Sequence, residues 1–261
     1  MSANSDARDA GIQREPRDKA MWITWYDLPE QGLDTHLDWL HQSYLPGILK
    51  RPGYLWAAHY AAVPKGTMRT IRRDNANDPV DAGVPTGDRY LLLIGAENVS
   101  VFGDPVPSEL HARLPLQSRE MLAMRAGERV NIMVEAMRVD GPEARDYRDG
   151  MMTAPCIQLG SFVCPWQHEE ESFAWFTQAR FPMISRLPGS VRSRKLLSFV
   201  GWAKHAVLYE YASLEARNRN YLTLEDGHPE IKAWSDRIVP KTRHAPGSAS
   251  LATRIWPPIS T

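Results

Sequence analysis

Two stretches of this chain repeat each other without a gap: Pro29–Gly53 returns as Pro165–Gly189 at one constant offset. Pro29, Trp39, Gln42, Pro46, Ile48, Pro52 and Gly53 become Pro165, Trp175, Gln178, Pro182, Ile184, Pro188 and Gly189. Chance matches in so short a window would not share one register and end in the same Pro-Gly turn, so the pattern predicts a fused tandem duplication. A chain of this kind is expected to fold as two like units. The positions where the copies differ then become the candidates for chemistry.

The chain has 261 residues, 43% of them hydrophobic and 24% charged, enough to bury one large core or two modest ones. Its 31 basic and 31 acidic residues cancel, so no global field favours nucleic acid or an anionic membrane, and a small-molecule partner is expected instead. Apolar runs such as Leu91–Ile94 fall far short of a bilayer span, and Met1–Met21 is too polar and charged for a secretory signal. The expectation is a cytoplasmic protein. Cys156 and Cys164 are too few for a disulfide framework or, alone, a zinc site, and read as reduced, buried thiols.

Residues 1–20 carry many charges and few large apolar side chains, and are expected to form a flexible arm. Trp22–Tyr26 reads as a strand ended by Pro29. Asp34 is placed to N-cap a helix whose apolar face runs Leu37, Leu40, Tyr44, Ile48, stopped by Pro52-Gly53. Strands at Tyr54–Tyr60 and Tyr90–Ala96, a helix near Ser108–Arg125 and a strand at Val130–Arg138 complete a β-α-β-β-α-β order. The second half retraces it: strand Ile157–Val163, helix Glu169–Arg186, strands Val191–Phe199 and His205–Ala212, helix Pro229–Ile238, strand Leu251–Trp256. The fold class expected is α+β: two ferredoxin-like βαββαβ repeats, residues 21–139 and 155–261, joined by a linker over 140–154. Each repeat leaves one sheet face uncovered, so the two are expected to pack sheet to sheet as an α/β barrel within one chain.

The segments Leu37–Pro46 running to Pro52-Gly53-Tyr54, and Phe173–Pro182 running to Pro188-Gly189, resemble the helix-and-turn signature of the EthD-like branch of the dimeric α/β-barrel superfamily. The resemblance implies that fold, and allows a homodimer. It leaves the reaction open, because the superfamily spans cofactor-free monooxygenases, cyclases, isomerases, lyases and haem enzymes. Where the family pattern places a histidine before the proline, this chain has Tyr44 in one copy and Arg180 in the other. A haem needs only one axial His, but the loss of that histidine gives haem no support.

Tyr44 and Arg180 each follow an apolar helix residue by four and fall on the inward faces, suggesting a proton donor and an anchor for a carboxylate or enolate. On the second strand, Trp56-Ala-Ala-His59 aligns with Arg192-Ser-Arg194-Lys195, so one half offers an aromatic wall and an imidazole and the other a cluster of cations. His59, with an ordinary pKa near neutrality, is the expected general base, with Arg194 as a second catalytic cation. Tyr26, Trp56, Arg192, Glu210 and His41 are the expected substrate-binding residues, with Arg194 a partner for Glu210. The long connection Ala62–Arg89 of the first half, with Arg69, Arg72 and Arg73, reads as a lid or partner-contacting loop.

No Gly-rich phosphate loop, His-Glu-x-x-His, Cys-x-x-Cys or Gly-x-Ser-x-Gly motif occurs, and no metal or cofactor is expected. Nine Trp and ten Met suit a flat hydrophobic substrate. Together these readings point to a cofactor-independent lyase or isomerase acting by proton transfer on a hydrophobic, aromatic, oxygenated acid. A cofactor-free monooxygenase and a non-catalytic binding or oligomerisation module are the alternatives.

Overall fold

The computed structural model describes residues 18–64, 83–147 and 154–259. Most of the expected arm, part of the linker, and the loop bearing Arg69, Arg72 and Arg73 lie outside the described residues.

Strand β1 (Ala20–Asp27) is buried on both faces. Trp22 and Tyr26 point into one apolar layer and Met21, Ile23 and Trp25 into another, as the two-residue period of a strand requires. After it come α1 (Leu33–Trp39), α2 (Leu45–Leu49), β2 (Tyr54–Ala62), β3 (Tyr90–Ala96), α3 (Pro107–Ala112), α4 (Leu116–Ala123) and β4 (Ala126–Asp140). The second half contains β5 (Cys156–Val163), α5 (Glu169–Trp175), α6 (Phe181–Ile184), β6 (Ser190–Val200), β7 (His205–Tyr211), α7 (Leu214–Asn220), α8 (Pro229–Ile238), β8 (Arg243–His244) and β9 (Ser250–Trp256).

The strands run in the order β4-β1-β3-β2 in the first half and β9-β5-β7-β6 in the second. Strand β4 pairs with β6, and β2 with β9, so eight antiparallel strands close into one barrel, with the two-residue β8 added outside on β5. The halves thus meet edge to edge through backbone hydrogen bonds as well as face to face. Closure removes the four sheet edges that two separate sheets would expose. Three buried layers result: a first layer between one half-sheet and α1–α4, the barrel interior, and a second layer between the other half-sheet and α5–α8. Among the described residues no helix is long and apolar enough to cross a membrane.

Both first helices widen into a π turn, at Leu40–Tyr44 and Phe176–Arg180. Proline explains it. Pro46 and Pro182 have no N–H, and their rings crowd the carbonyl four residues back. The preceding residues, Leu45 and Phe181, donate instead to the carbonyls of Leu40 and Phe176, five residues back. The following Pro-Gly turns also match, with Gly53 and Gly189 at φ 81° and 82°, where any other residue would be strained. Trp39 donates to Ser118 on α4 (3.2 Å) and Trp175 to Ser235 on α8 (2.9 Å).

Three local expectations need correction. The residue at the N-cap of α1 is Gly32, in left-handed conformation and without a side-chain cap; Asp34 lies in the first turn, where its charge favours the helix N-terminus. The helix expected near Ser108–Arg125 is two helices, since Pro115 disfavours helical backbone at Leu114. Helix α7 was not anticipated. It is capped by Ser213, whose Oγ accepts from the Ala216 N–H at 3.0 Å.

Candidate functional site

In the first layer, β1, β2 and the first π turn bring three titratable groups into a chain. Tyr26 Oη lies 2.8 Å from His59 Nε2, and His59 Nδ1 lies 2.8 Å from His41 Nε2. Strand parity places His59 on the helix-facing side of β2, opposite Trp56, and the widened turn carries His41 onto it. Tyr26 and His59 are fully buried whereas His41 is half-buried, so the chain leads from the interior toward solvent. Tyr90 stacks on both inner members, 5.8 Å from Tyr26 and 5.5 Å from His59. Trp256 stacks on His41 at 5.9 Å.

The hydrogen bonds permit two polarities. Tyr26 donates to His59 and His59 to His41, or His41 donates to His59 and His59 to Tyr26. Interconversion of the two moves a proton along the chain. Burial holds His59 well below the ordinary histidine range, reinforced by His41 and the Arg125 charge, so its ring is neutral at pH 7. This corrects the near-neutral pKa expected for it. Burial also pushes Tyr26 up to about 12, although Arg125 acts in the opposite direction.

Arg125 is a buried cation at the centre of this layer. Its guanidinium sits 4.5 Å over the Tyr26 ring, and its charge also acts on Tyr44, His36, His59 and His111. Nη1 bonds Glu128 at 2.9 Å, while Nε and Nη2 are buried with no hydrogen-bond partner. Two unsatisfied donors on a buried cation suit an anionic or oxygen-rich ligand. Tyr44 Oη lies 2.7 Å from His111 Nε2, beside this cation. Burial depresses His36 and His111 to about 4. Next to the relay, a cavity of about 500 Å³ is lined by residues including Ala61, Asp88, Arg89, Tyr90 and Ser250. Tyr90 is its shared wall with the relay.

The structure separates the expected site residues. His59, Tyr44, Tyr26 and His41 lie in the first layer. Arg194, Trp56 and Glu210 lie in the barrel interior: Arg194 bonds Glu210 at 3.0 Å and Asp18 at 2.6 Å, with Glu135 at 3.7 Å, and Trp56 donates to Asp18 at 3.0 Å. Arg192 bonds Asp140 at 3.0 Å and the Tyr147 carbonyl at 3.4 Å. Arg180 is buried in the second layer, donating to Tyr209 (3.2 Å), Tyr221 (2.5 Å) and Glu225 (3.4 Å). The expectation that Arg180 or Arg194 works in one cavity with His59 is therefore corrected: each is held by buried partners of its own, in a different layer.

Sequence reasoning missed Arg125, His36, His111 and Tyr90. His36 stands one helical turn before Leu40 on the inward stripe, a signal that could have been used. Arg125, just beyond a helix, carries no comparable sign. Among the described residues no group of three or more His, Cys, Asp and Glu side chains is arranged to hold a metal ion.

No protein-family model matches the chain, and no curated protein matches it. Solved structures share its fold. An anthrone oxidase-like protein superposes with a TM-score of 0.59 at 11% identity, covering 94% of each chain. A putative monooxygenase from Lactobacillus acidophilus NCFM gives 0.52 at 10% identity, over 91% of this chain and 94% of that one. A dye-decolorizing protein from V. cholerae gives 0.51 at 12% identity, over 92% and 95%. At such identities the likeness is one of fold alone.

Proposed function

We propose that the chain is an enzyme that moves protons on a flat, hydrophobic, aromatic acid or phenol without an organic cofactor, as a lyase or isomerase. The observation that carries the reading is the Tyr26–His59–His41 chain beside Arg125. The free Nε and Nη2 donors of Arg125 hold the substrate's carboxylate or developing enolate. Tyr26 then passes the substrate proton through His59 to His41, nearer solvent, and the reverse polarity returns it. A neutral His59 suits this role, because it accepts and releases a proton without resting as a buried cation. The cavity beside Tyr90 is of a size for one small aromatic molecule. Arg180, Arg192 and Arg194 serve the scaffold in this reading.

A second reading keeps the same residues and adds molecular oxygen as co-reactant, making the chain a cofactor-free monooxygenase. The shared fold with an anthrone oxidase-like protein and a putative monooxygenase favours considering it. The common register of Pro29–Gly53 and Pro165–Gly189, with its paired π turns, supports taking the halves as copies of one EthD-like unit.

The test is incubation of the purified protein with enolisable aromatic acids and phenols, with and without oxygen. Turnover under both conditions supports the lyase or isomerase, and turnover only with stoichiometric oxygen uptake supports the oxygenase. Binding of such compounds with no turnover of any overturns both in favour of a binding module.

A further inference from the structure

At the offset that relates the two halves, His59 corresponds to Lys195 and Tyr26 to Phe162. The registers agree: His59 pairs across with Leu92 on β3, and Lys195 with Val207 on β7. As Tyr90 stacks on Tyr26, His205 stacks on Phe162, at 5.4 Å. The second layer thus holds a counterpart of the relay site, with different chemistry.

Lys195 is 8% exposed, and its Nζ, with no hydrogen-bond partner, lies 4.4 Å from the Phe162 ring centre and 4.6 Å from that of Phe176. A second buried polar atom, His205 Nδ1, is also without a partner. Its orientation follows from the other ring nitrogen. His205 Nε2 lies 3.1 Å from Glu169 Oε1, a carboxylate that only accepts, so Nε2 carries the proton and Nδ1 is a bare acceptor. The titratable groups acting around the pair are Cys164, Glu169, Lys204 and His244. His244 also packs on Phe162, at 5.3 Å. Burial lowers Lys195 to about 7, with Cys164 and Glu169 acting the other way, so a large share of the amine is neutral at physiological pH. A neutral amine in an apolar, aromatic setting, sharing the Phe162 ring with an unprotonated imidazole on which it also acts electrostatically, is equipped to attack a carbonyl carbon.

We infer that the second layer is a site for small apolar aldehydes or ketones, which Lys195 captures as an imine with His205 as the base. Nζ attacks the carbonyl carbon, forming the C–N bond while the C=O π pair moves to oxygen. His205 Nδ1 takes the proton from nitrogen and returns it to that oxygen, and loss of water breaks the C–O bond to leave C=N–Lys. The step needs no oxidant or reductant and does not depend on the first-layer reaction.

The test is reductive trapping of the full chain with benzaldehyde and cyanoborohydride at pH 7, mapped by peptide mass spectrometry. Lys195 is expected to be benzylated at least roughly 10-fold faster than exposed lysines such as Lys204 and Lys232, whose ammonium groups are held by Glu169 and Asp236. Its labelling rate should rise from pH 6 to 8, and His205→Phe should slow it. In Lys195→Arg the fast adduct should vanish, whereas His59→Ala should leave it unchanged. Labelling of Lys195 no faster than the exposed lysines, or no adduct on it, overturns the inference, and that measurement needs no variant to fold.

Discussion

The two helix-covered layers share a backbone plan and differ in how they treat charge. In the first, one arginine stands among neutral imidazoles and phenols and keeps two donors unused. In the second, the donors of Arg180 go to Tyr209, Tyr221 and Glu225, and Arg217 bonds Gln158 at 2.6 and 3.0 Å. A buried cation whose donors are satisfied internally stiffens a core, whereas one with spare donors is prepared for a ligand. The lesson is that a buried arginine is read by its unfilled hydrogen bonds rather than by its burial.

The largest expected effect is that of pH, and it separates the layers on one side only. His36 and His111 in the first layer, and His205 and His244 in the second, lie near 4 when folded, against 6.5 when free. Between these values the unfolded chain binds more protons, so stability is complete above pH 6.5 and lost as pH falls toward 4. The slope is up to about 1.4 kcal/mol per pH unit for each histidine that is fully shielded. On the alkaline side Lys195 acts first: its folded value near 7 lies below the free value of 10.5, so its contribution rises across that window, whereas burial raises the Cys156 and Cys164 thiols above 9.0, so theirs falls once pH passes that value. Denaturant unfolding at a series of pH values should show both limbs, and Lys195→Met should flatten the alkaline one alone.

Next in size is Arg194→Met. Removing this guanidinium takes from the buried Glu210 its cation and leaves the buried Asp18 with Arg138 and the Trp56 indole alone, which should cost about 3–5 kcal/mol of stability. A loss below about 1 kcal/mol in urea unfolding would mean that the carboxylates are solvated. His59→Ala should lower turnover by roughly 100-fold or more with little change in KM, and a fully active variant would move the chemistry to other residues. Arg125→Met should weaken binding of an anionic substrate by about 1.5–3 kcal/mol, while Arg180→Met lowers the melting temperature and leaves binding alone. The reverse result in calorimetry would invert the comparison. Tyr44→Phe is the smallest change, removing one hydrogen bond to His111 at about 0.5–1.5 kcal/mol of stability.

Much of the fold was legible because local patterns were strong. Strand Tyr90–Ala96 is an unbroken apolar run with aromatic and small ends, and helix Pro229–Ile238 opens on a proline; both lie where the pattern puts them. The π turns were not legible, since a helical stripe read at a period of 3.6 hides one extra residue. Strand parity correctly set His59 opposite Trp56, and the Arg194–Glu210 pair was anticipated. Parity names a face, however, and not the partner that waits there. Asp18 and Arg194 meet although 176 positions apart, and Arg125 reaches Tyr26 from the far end of α4. Such meetings depend on barrel closure, which no window of sequence contains.

Asp18 also bears on where this protein can be shortened. Composition places the end of the arm at residue 20, and a chain trimmed there would begin at Met21 with strand β1 almost whole. It would nevertheless lack the carboxylate that binds Arg194, Arg138 and the Trp56 indole from inside the barrel. The truncation should therefore aggregate or melt early, whereas one that begins a few residues before Asp18 keeps the barrel's internal counter-charge.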